Sequence, residues 1–255
     1  MPFHFVNKPA LVAYVTSGDP DLATTREIVL EAIRAGAAII ELGVPFSDPV
    51  ADGPVIQRAS ERALKHNTSL EQVLKLAAEI REQSQSVGLI IFTYLNPILR
   101  MGLEKFCKIA RLAGVDGVLV TDLPVEEAGP YLAEMRKNDL ASIFLAAPTS
   151  TDERLKRIAQ ASSGFVYAVS RTGVTGTRKQ MSEDAQSLVR RLRKHTKLPI
   201  AVGFGISTPE QFAAVGKYAD GAVVGSAIVE VIERNRGKEA TSVAEFVKQL
   251  VASSG

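Results

Sequence analysis

Along the chain, short apolar runs alternate with longer stretches whose apolar positions recur every three or four residues. The runs at 11–15, 39–42, 89–94, 117–120, 143–146, 166–169, 200–202 and 222–224 are bounded by Gly, Pro or Asp, which predicts eight strands. The stretches 22–34, 70–83, 103–113, 126–137, 152–161, 182–194 and 209–217 carry an apolar stripe at helical spacing, which predicts helices between them. Leu89-Ile90-Ile91-Phe92 is apolar on both faces, as a parallel strand is when a barrel interior lies on one side and a helix layer on the other. An open doubly wound sheet has the same element order, but it places its phosphate-binding glycines after the first strand. Here that turn reads Thr16-Ser17-Gly18-Asp19-Pro20, and the paired glycines come after the last strands. The expected fold is therefore a closed (β/α)8 TIM barrel, one domain over residues 1–255.

Composition narrows the function classes. Hydrophobic residues are 46% of the 255 and charged residues 23%, the profile of a chain that folds throughout. The formal net charge of +2 is spread along the sequence, so no nucleic-acid partner is expected. The densest basic cluster, Arg190, Arg191, Arg193, Lys194 and Lys197, is interleaved with Leu188, Val189 and Leu192, which reads as a solvated helix face. Cys107 is the only cysteine and sits among Phe106, Ile109 and Ala110, which reads as a small core residue. No apolar run approaches the roughly 20 residues of a membrane span, and residues 1–9 lack a charged-then-apolar leader, so a cytoplasmic location is expected.

Two connections, 43–55 and 170–181, are long for loops at the carboxyl ends of barrel strands, where active sites are built. Glu41 follows Ile39 and Ile40 in a strand apolar on both sides. Burial would raise its pKa toward the range useful for proton transfer, although an arginine or backbone donors at the strand end would equally satisfy it. The next loop carries Asp48 and Asp52, either of which could face Glu41, and both of which are also ordinary turn formers beside Pro49 and Gly53. Gly203-Phe204-Gly205-Ile206-Ser207 and Gly225-Ser226-Ala227-Ile228 follow the last two strands, the second opening a helix. Bare amides there suit a phosphate, with turn punctuation as the alternative. Ser170-Arg171-Thr172-Gly173-Val174-Thr175-Gly176 reads as a mobile lid or as a plain surface loop. His4, His66 and His195 are far apart and no lysine ends an apolar run, which disfavours metal and Schiff-base chemistry.

Taken together, Ile40-Glu41-Leu42-Gly43-Val44-Pro45-Phe46-Ser47-Asp48-Pro49, Ala51-Asp52-Gly53-Pro54, the 170–176 segment and Gly203-Phe204-Gly205-Ile206 closely resemble the tryptophan synthase alpha family. Gly18-Asp19-Pro20, Val120-Thr121-Asp122-Leu123-Pro124 and Gly225-Ser226-Ala227-Ile228-Val229 extend the match in the right order. The resemblance implies a retro-aldol lyase that cleaves indole-3-glycerol phosphate to indole and glyceraldehyde 3-phosphate, with no cofactor in this chain. It implies that Glu41 is the acid–base group and that Asp52 binds the indole N–H. It further implies that Gly176, Gly205, Gly225 and Ser226 hold the phosphate, that Tyr14, Phe92, Leu119, Leu145 and Tyr167 line the indole pocket, and that Thr175 orders the lid over Asp52. The implied partner is a pyridoxal phosphate-dependent beta subunit in an alpha-beta-beta-alpha heterotetramer, met through Pro45, Asp48, Asn96 and Pro97. The start departs from longer members, whose barrel-plugging amphipathic helix is here reduced to Met1–Asn7 or absent. Another phosphate-binding barrel, such as an indole-glycerol-phosphate synthase or a sugar-phosphate isomerase, is the competing enzyme reading, and a chiefly activating interaction subunit the competing non-enzyme one.

Overall fold

The computed structural model describes residues 3, 5, 7–169, 178–203 and 205–253, with backbone alone for 178–182. Among these, the chain begins with strand β1 (Ala10–Thr16), helix α1 (Leu22–Arg34), β2 (Ile39–Gly43), α2 (Pro54–Lys65), α3 (Leu70–Gln83) and β3 (Gly88–Thr93). It continues through α4 (Leu95–Met101), α5 (Leu103–Leu112), β4 (Gly117–Val120), α6 (Gly129–Lys137), β5 (Ala141–Ala146), α7 (Asp152–Ala161) and β6 (Val166–Val169). The last elements are α8 (Arg178–Leu192), β7 (Ile200–Gly203), α9 (Pro209–Val215), β8 (Gly221–Val224), α10 (Ser226–Arg234) and α11 (Glu239–Ala252). The strands pair in sequence order, all parallel, and β8 closes on β1. The expected (β/α)8 barrel is the fold observed.

Helix starts follow local chemistry. The Asp21 and Thr151 side chains accept the N–H of Thr24 and Arg154 at the starts of α1 and α7. Ser69 with Gln72 and Thr208 with Gln211 form reciprocal capping boxes on α3 and α9. α2 instead starts at a proline behind Gly53, with only Ala59, Ser60 and Ala63 buried. Its buried stripe is thus made of small residues. Likewise α4 carries Pro97 in its first turn. The predicted long loop 43–55 therefore ends at Pro54, and the predicted helix at 182–194 begins earlier, at Arg178.

The two faces of each strand feed separate cores, as a period of two requires. Leu11, Ala13, Ile40, Leu42, Leu89, Ile91, Val118, Val120, Val202 and Val224 pack outward against the helices. Val12, Ile39, Ile90, Leu119, Ile143, Phe165, Ala201 and Val223 pack inward on one another. At the amino end of the strands the inner core is stoppered by Phe3, buried, and Phe5, each meeting Phe165 edge-on at 5.6 Å between ring centroids. Gly88 and Gly164 make room for the stopper, since a Cβ there would lie 2.8 and 2.5 Å from the Phe3 ring. Phe3 and Phe5 thus supply a stopper of two aromatic rings.

Candidate active site

Two residues beyond that inner row, toward the carboxyl ends of the strands, the inward positions are Tyr14, Glu41, Phe92, Leu145, Tyr167, Gly203 and Gly225, and all seven line one cavity of about 840 Å³. The alternation that builds the core thus also selects the walls of the site. Tyr14 and Phe92 meet edge-on at 5.1 Å. Gly43 and Gly203 are required beside the two tyrosines: a Cβ would come within 2.3 Å of the Tyr14 hydroxyl and 2.5 Å of the Tyr167 hydroxyl. Leu119 does not reach this wall. It is fully buried and pairs with Phe92 of the cavity wall on one side and with Ile143 of the inner core on the other.

Glu41 is fully buried and neither carboxyl oxygen has a hydrogen-bond partner. No arginine or backbone donor satisfies it, so of the two sequence readings the satisfied glutamate is removed. Loss of water around the carboxylate raises its pKa from 4.5 to about 8, leaving it protonated at neutral pH.

Asp52, half-buried, precedes α2 by two residues. Its Oδ2 accepts a hydrogen bond from the Tyr94 hydroxyl at 3.1 Å, and the same hydroxyl accepts the Ala51 N–H at 3.0 Å. Burial raises the Asp52 pKa to about 6, against the lowering effect of the Tyr94 bond. Asp48 lies elsewhere, on a second groove described below. Burial first, and then the charges of Glu41 and Asp52 together, raise the phenol pKa values of Tyr14 and Tyr167, so both carboxyls act on one pair of rings. Asp52 is thus the loop carboxylate whose charge reaches the same rings as that of Glu41, while its neighbour Ala51, and not Asp52 itself, lines the cavity.

The opposite rim is backbone. Gly205, Ser207, Gly225, Ser226 and Ala227 line the cavity, and α10 starts there with no side-chain cap on its first-turn N–H groups. Sequence reasoning missed Tyr94, Ile56 and Glu230, the last two being cavity-lining residues on α2 and α10. Asp19, 1% exposed, accepts both prongs of Arg62 at 2.8 Å, and Arg62 also donates to Glu233 at 2.8 Å. That bridge ties α2, the turn after β1 and α10 together, and so fixes the Asp52 end of the site against the Ser226 end. The predicted lid, including Thr175 and Gly176, lies outside the described residues, as does Phe204.

Pro45, Asp48, Asn96 and Pro97 are brought together on a neighbouring groove of about 560 Å³ that also holds Phe46, Arg100 and Lys105. Phe46 stacks on Tyr94 with centroids 5.0 Å apart, so the groove and the Asp52 carboxylate share one aromatic support. Among the described residues no group of three or more His, Cys, Asp or Glu side chains is placed to hold a metal ion, and no helix is long and apolar enough to cross a membrane.

A closed barrel with two carboxyls of different proton affinity over an apolar, aromatic slot has the makings of a general acid–base enzyme of the (β/α)8 class. A family model described as tryptophan synthase alpha chain matches residues 4–253. The tryptophan synthase alpha chain of Solibacter usitatus is 51% identical over 251 residues, covering 98% of this chain and 94% of its own. The crystal structure of tryptophan synthase subunit alpha from Legionella pneumophila superposes with a TM-score of 0.89 at 36% identity, covering 96% of this chain and 92% of that one. A chain of the tryptophan synthase complex from Pyrococcus furiosus gives 0.87 at 38% identity, covering 96% and 99%. The chain belongs to the tryptophan synthase alpha chain family. It is a lyase of tryptophan biosynthesis: the alpha subunit cleaves indole-3-glycerol phosphate and passes indole to a beta subunit.

Proposed function

We propose that Glu41, in the wall of this cavity, and Asp52, in the loop beside it, carry this cleavage. Glu41, protonated at neutral pH, gives its proton to the indole carbon that bears the glycerol chain, and the ring becomes an indolenine with positive charge at its nitrogen. Asp52, ionised above about pH 6, accepts the indole N–H and stabilises that charge. The Glu41 carboxylate then takes the proton of the side-chain hydroxyl next to the ring. The carbon–oxygen double bond forms as the carbon–carbon bond breaks, its electron pair returns to the ring, and indole and glyceraldehyde 3-phosphate result with Glu41 protonated again. The observation that carries this reading is a carboxyl in the cavity wall, fully buried and with no hydrogen-bond partner on either oxygen.

The indole ring lies between Tyr14, Phe92, Leu145 and Tyr167, an apolar slot suited to a flat ring. The phosphate sits on Gly205, Gly225 and Ser226, where backbone N–H groups and the amino end of α10 favour an anion. Gly176 and Thr175 would complete the site from the segment outside the described residues. The beta subunit, which holds the pyridoxal phosphate, docks on the groove of Pro45, Asp48, Asn96 and Pro97 in an alpha-beta-beta-alpha heterotetramer, in the cytoplasm. Incubating the protein with indole-3-glycerol phosphate and measuring indole tests the assignment. Glu41→Gln should abolish release while still activating the beta subunit, and a variant that keeps its cleavage rate would refute the role given to Glu41.

A further inference from the structure

The charge of the cavity is one-sided. Its lining contains two carboxyl groups, Glu41, which is protonated at neutral pH, and Glu230, and among the described lining residues no lysine, arginine or histidine. Among the described residues, a phosphate placed on Gly205, Gly225 and Ser226 is therefore held by backbone N–H groups and one hydroxyl, with no cation in that part of the wall.

Glu230 stands at that end. It lies four residues after Ser226 on α10, which puts the two on one face of the helix, and both line the cavity. Its side chain is 39% exposed, and its partner is Arg234, the next residue along the same face, at 3.2 Å. Arg234 is 75% exposed and takes no part in the cavity wall, so the compensating cation points to solvent while the carboxylate stays beside the anion site. Across from it, Arg58 of α2 senses Glu230 but gives its hydrogen bonds to Glu233 and to the Pro54 carbonyl.

We propose that Glu230 is a specificity-determining residue that weakens the hold of the site on phosphate charge, limiting affinity for phosphorylated ligands and easing departure of the phosphorylated three-carbon product. This rests on the phosphate placement proposed above. A phosphate monoester carries about −1.5 to −2 at neutral pH, so a carboxylate one helical turn from its cradle repels it. The repulsion acts on substrate and product alike and lies away from the bond that breaks, so it belongs to KM and to product release.

The test compares wild-type protein with Glu230→Gln and Arg234→Gln, measuring KM for indole-3-glycerol phosphate, inhibition constants for inorganic phosphate and glycerol 3-phosphate, and affinity for indole. Glu230→Gln should lower KM and both phosphate constants by roughly two- to fivefold, the range of a partly exposed charge pair, with the indole affinity unmoved. Arg234→Gln, which strips the partner from Glu230, should move the phosphate constants the other way. Molar NaCl should bring the three proteins together. Unchanged phosphate constants in Glu230→Gln, or an equal shift for indole, would overturn the role of Glu230 while leaving the phosphate site standing. Failure of glycerol 3-phosphate to compete in the wild-type protein would overturn the phosphate placement itself and the inference with it.

Discussion

Replacing Glu41 by glutamine should make the protein more stable, and increasingly so as pH rises. The carboxyl is fully buried without a hydrogen-bond partner, and its pKa is raised from 4.5 to about 8 by burial. Below about pH 4.5 it is protonated in folded and unfolded chains alike, and its titration costs the fold nothing. Between these two values the unfolded chain gives up the proton while the folded one keeps it, so stability falls as pH rises, and the loss is complete above about pH 8. At about 1.4 kcal/mol for each tenfold change in proton affinity, the full loss is on the order of 4 to 5 kcal/mol. Glutamine keeps the shape and removes the titration. Its buried amide would lack partners too, at about 1–3 kcal/mol, but that penalty does not depend on pH. The quantity to measure is therefore the wild-type-to-variant difference in unfolding free energy from urea titrations near pH 5 and near pH 9. It should shift in favour of the variant by about 4 kcal/mol across that range, since other titrating groups cancel in the difference. A difference that stays constant with pH would mean that Glu41 is ionised, or hydrated, in the folded protein, and the acid assigned to it would be lost.

The catalytic pH profile follows from the same two carboxyls: kcat/KM should fall below about pH 6 as Asp52 takes up a proton and above about pH 8 as Glu41 loses one, and a flat profile would refute both roles. Tyr94→Phe removes the hydrogen bond that lowers the Asp52 pKa, so the acidic limb should move to higher pH; an unmoved limb would show that Asp52 does not set it. Phe3→Ala empties the stopper at the amino end of the barrel and should cost roughly 3 kcal/mol in urea unfolding, the lower part of the range for a buried phenylalanine. Gly203→Ala brings a methyl group within 2.5 Å of the Tyr167 hydroxyl, so it should raise KM for indole-3-glycerol phosphate by displacing the ring.

Much of the barrel is legible in the sequence because β2 and β3 write both of their buried faces as apolar runs, with one set of residues turned inward and the next turned to the helices. Glu41 is legible for the same reason, since an acid stands out in such a run. α2 is not, because its buried residues Ala59, Ser60 and Ala63 are all small and the larger Val55 and Ile56 stand at its first turn, and α4 is masked by Pro97. Beyond the last strand the sequence showed only that a helix opens at Ser226, and the 14-residue α11 passed unread. Tyr94 and Glu230 were out of reach on other grounds. A tyrosine at a strand end and a glutamate on an amphipathic helix are ordinary, and only the closure of the barrel decides that one meets Asp52 and the other the cavity. Leu119 shows the converse, for alternation gives its inward face but does not decide whether it reaches the cavity, since it pairs with Phe92 of the cavity wall on one side and with Ile143 of the inner core on the other.

The separation between the two carboxyls is inherited from where each sits in the fold. Glu41 lies in a strand with neighbours on both sides, Tyr14 and Ile90 in register, so the nearby backbone N–H groups are committed to the barrel and none is free to turn toward its side chain. The wall around it is aromatic and aliphatic, and only a neutral carboxyl is at ease there. Asp52 lies in a loop, where the chain is free to bring up a donor, and Tyr94 supplies one. A strand acid without a donor and a loop acid with one titrate at about 8 and about 6, so over the pH range between them one holds a proton to give while the other holds a negative charge. Acid–base chemistry on an indole ring needs both at once, and moving either carboxyl to the other's position would leave two groups of like protonation and no step for them to share.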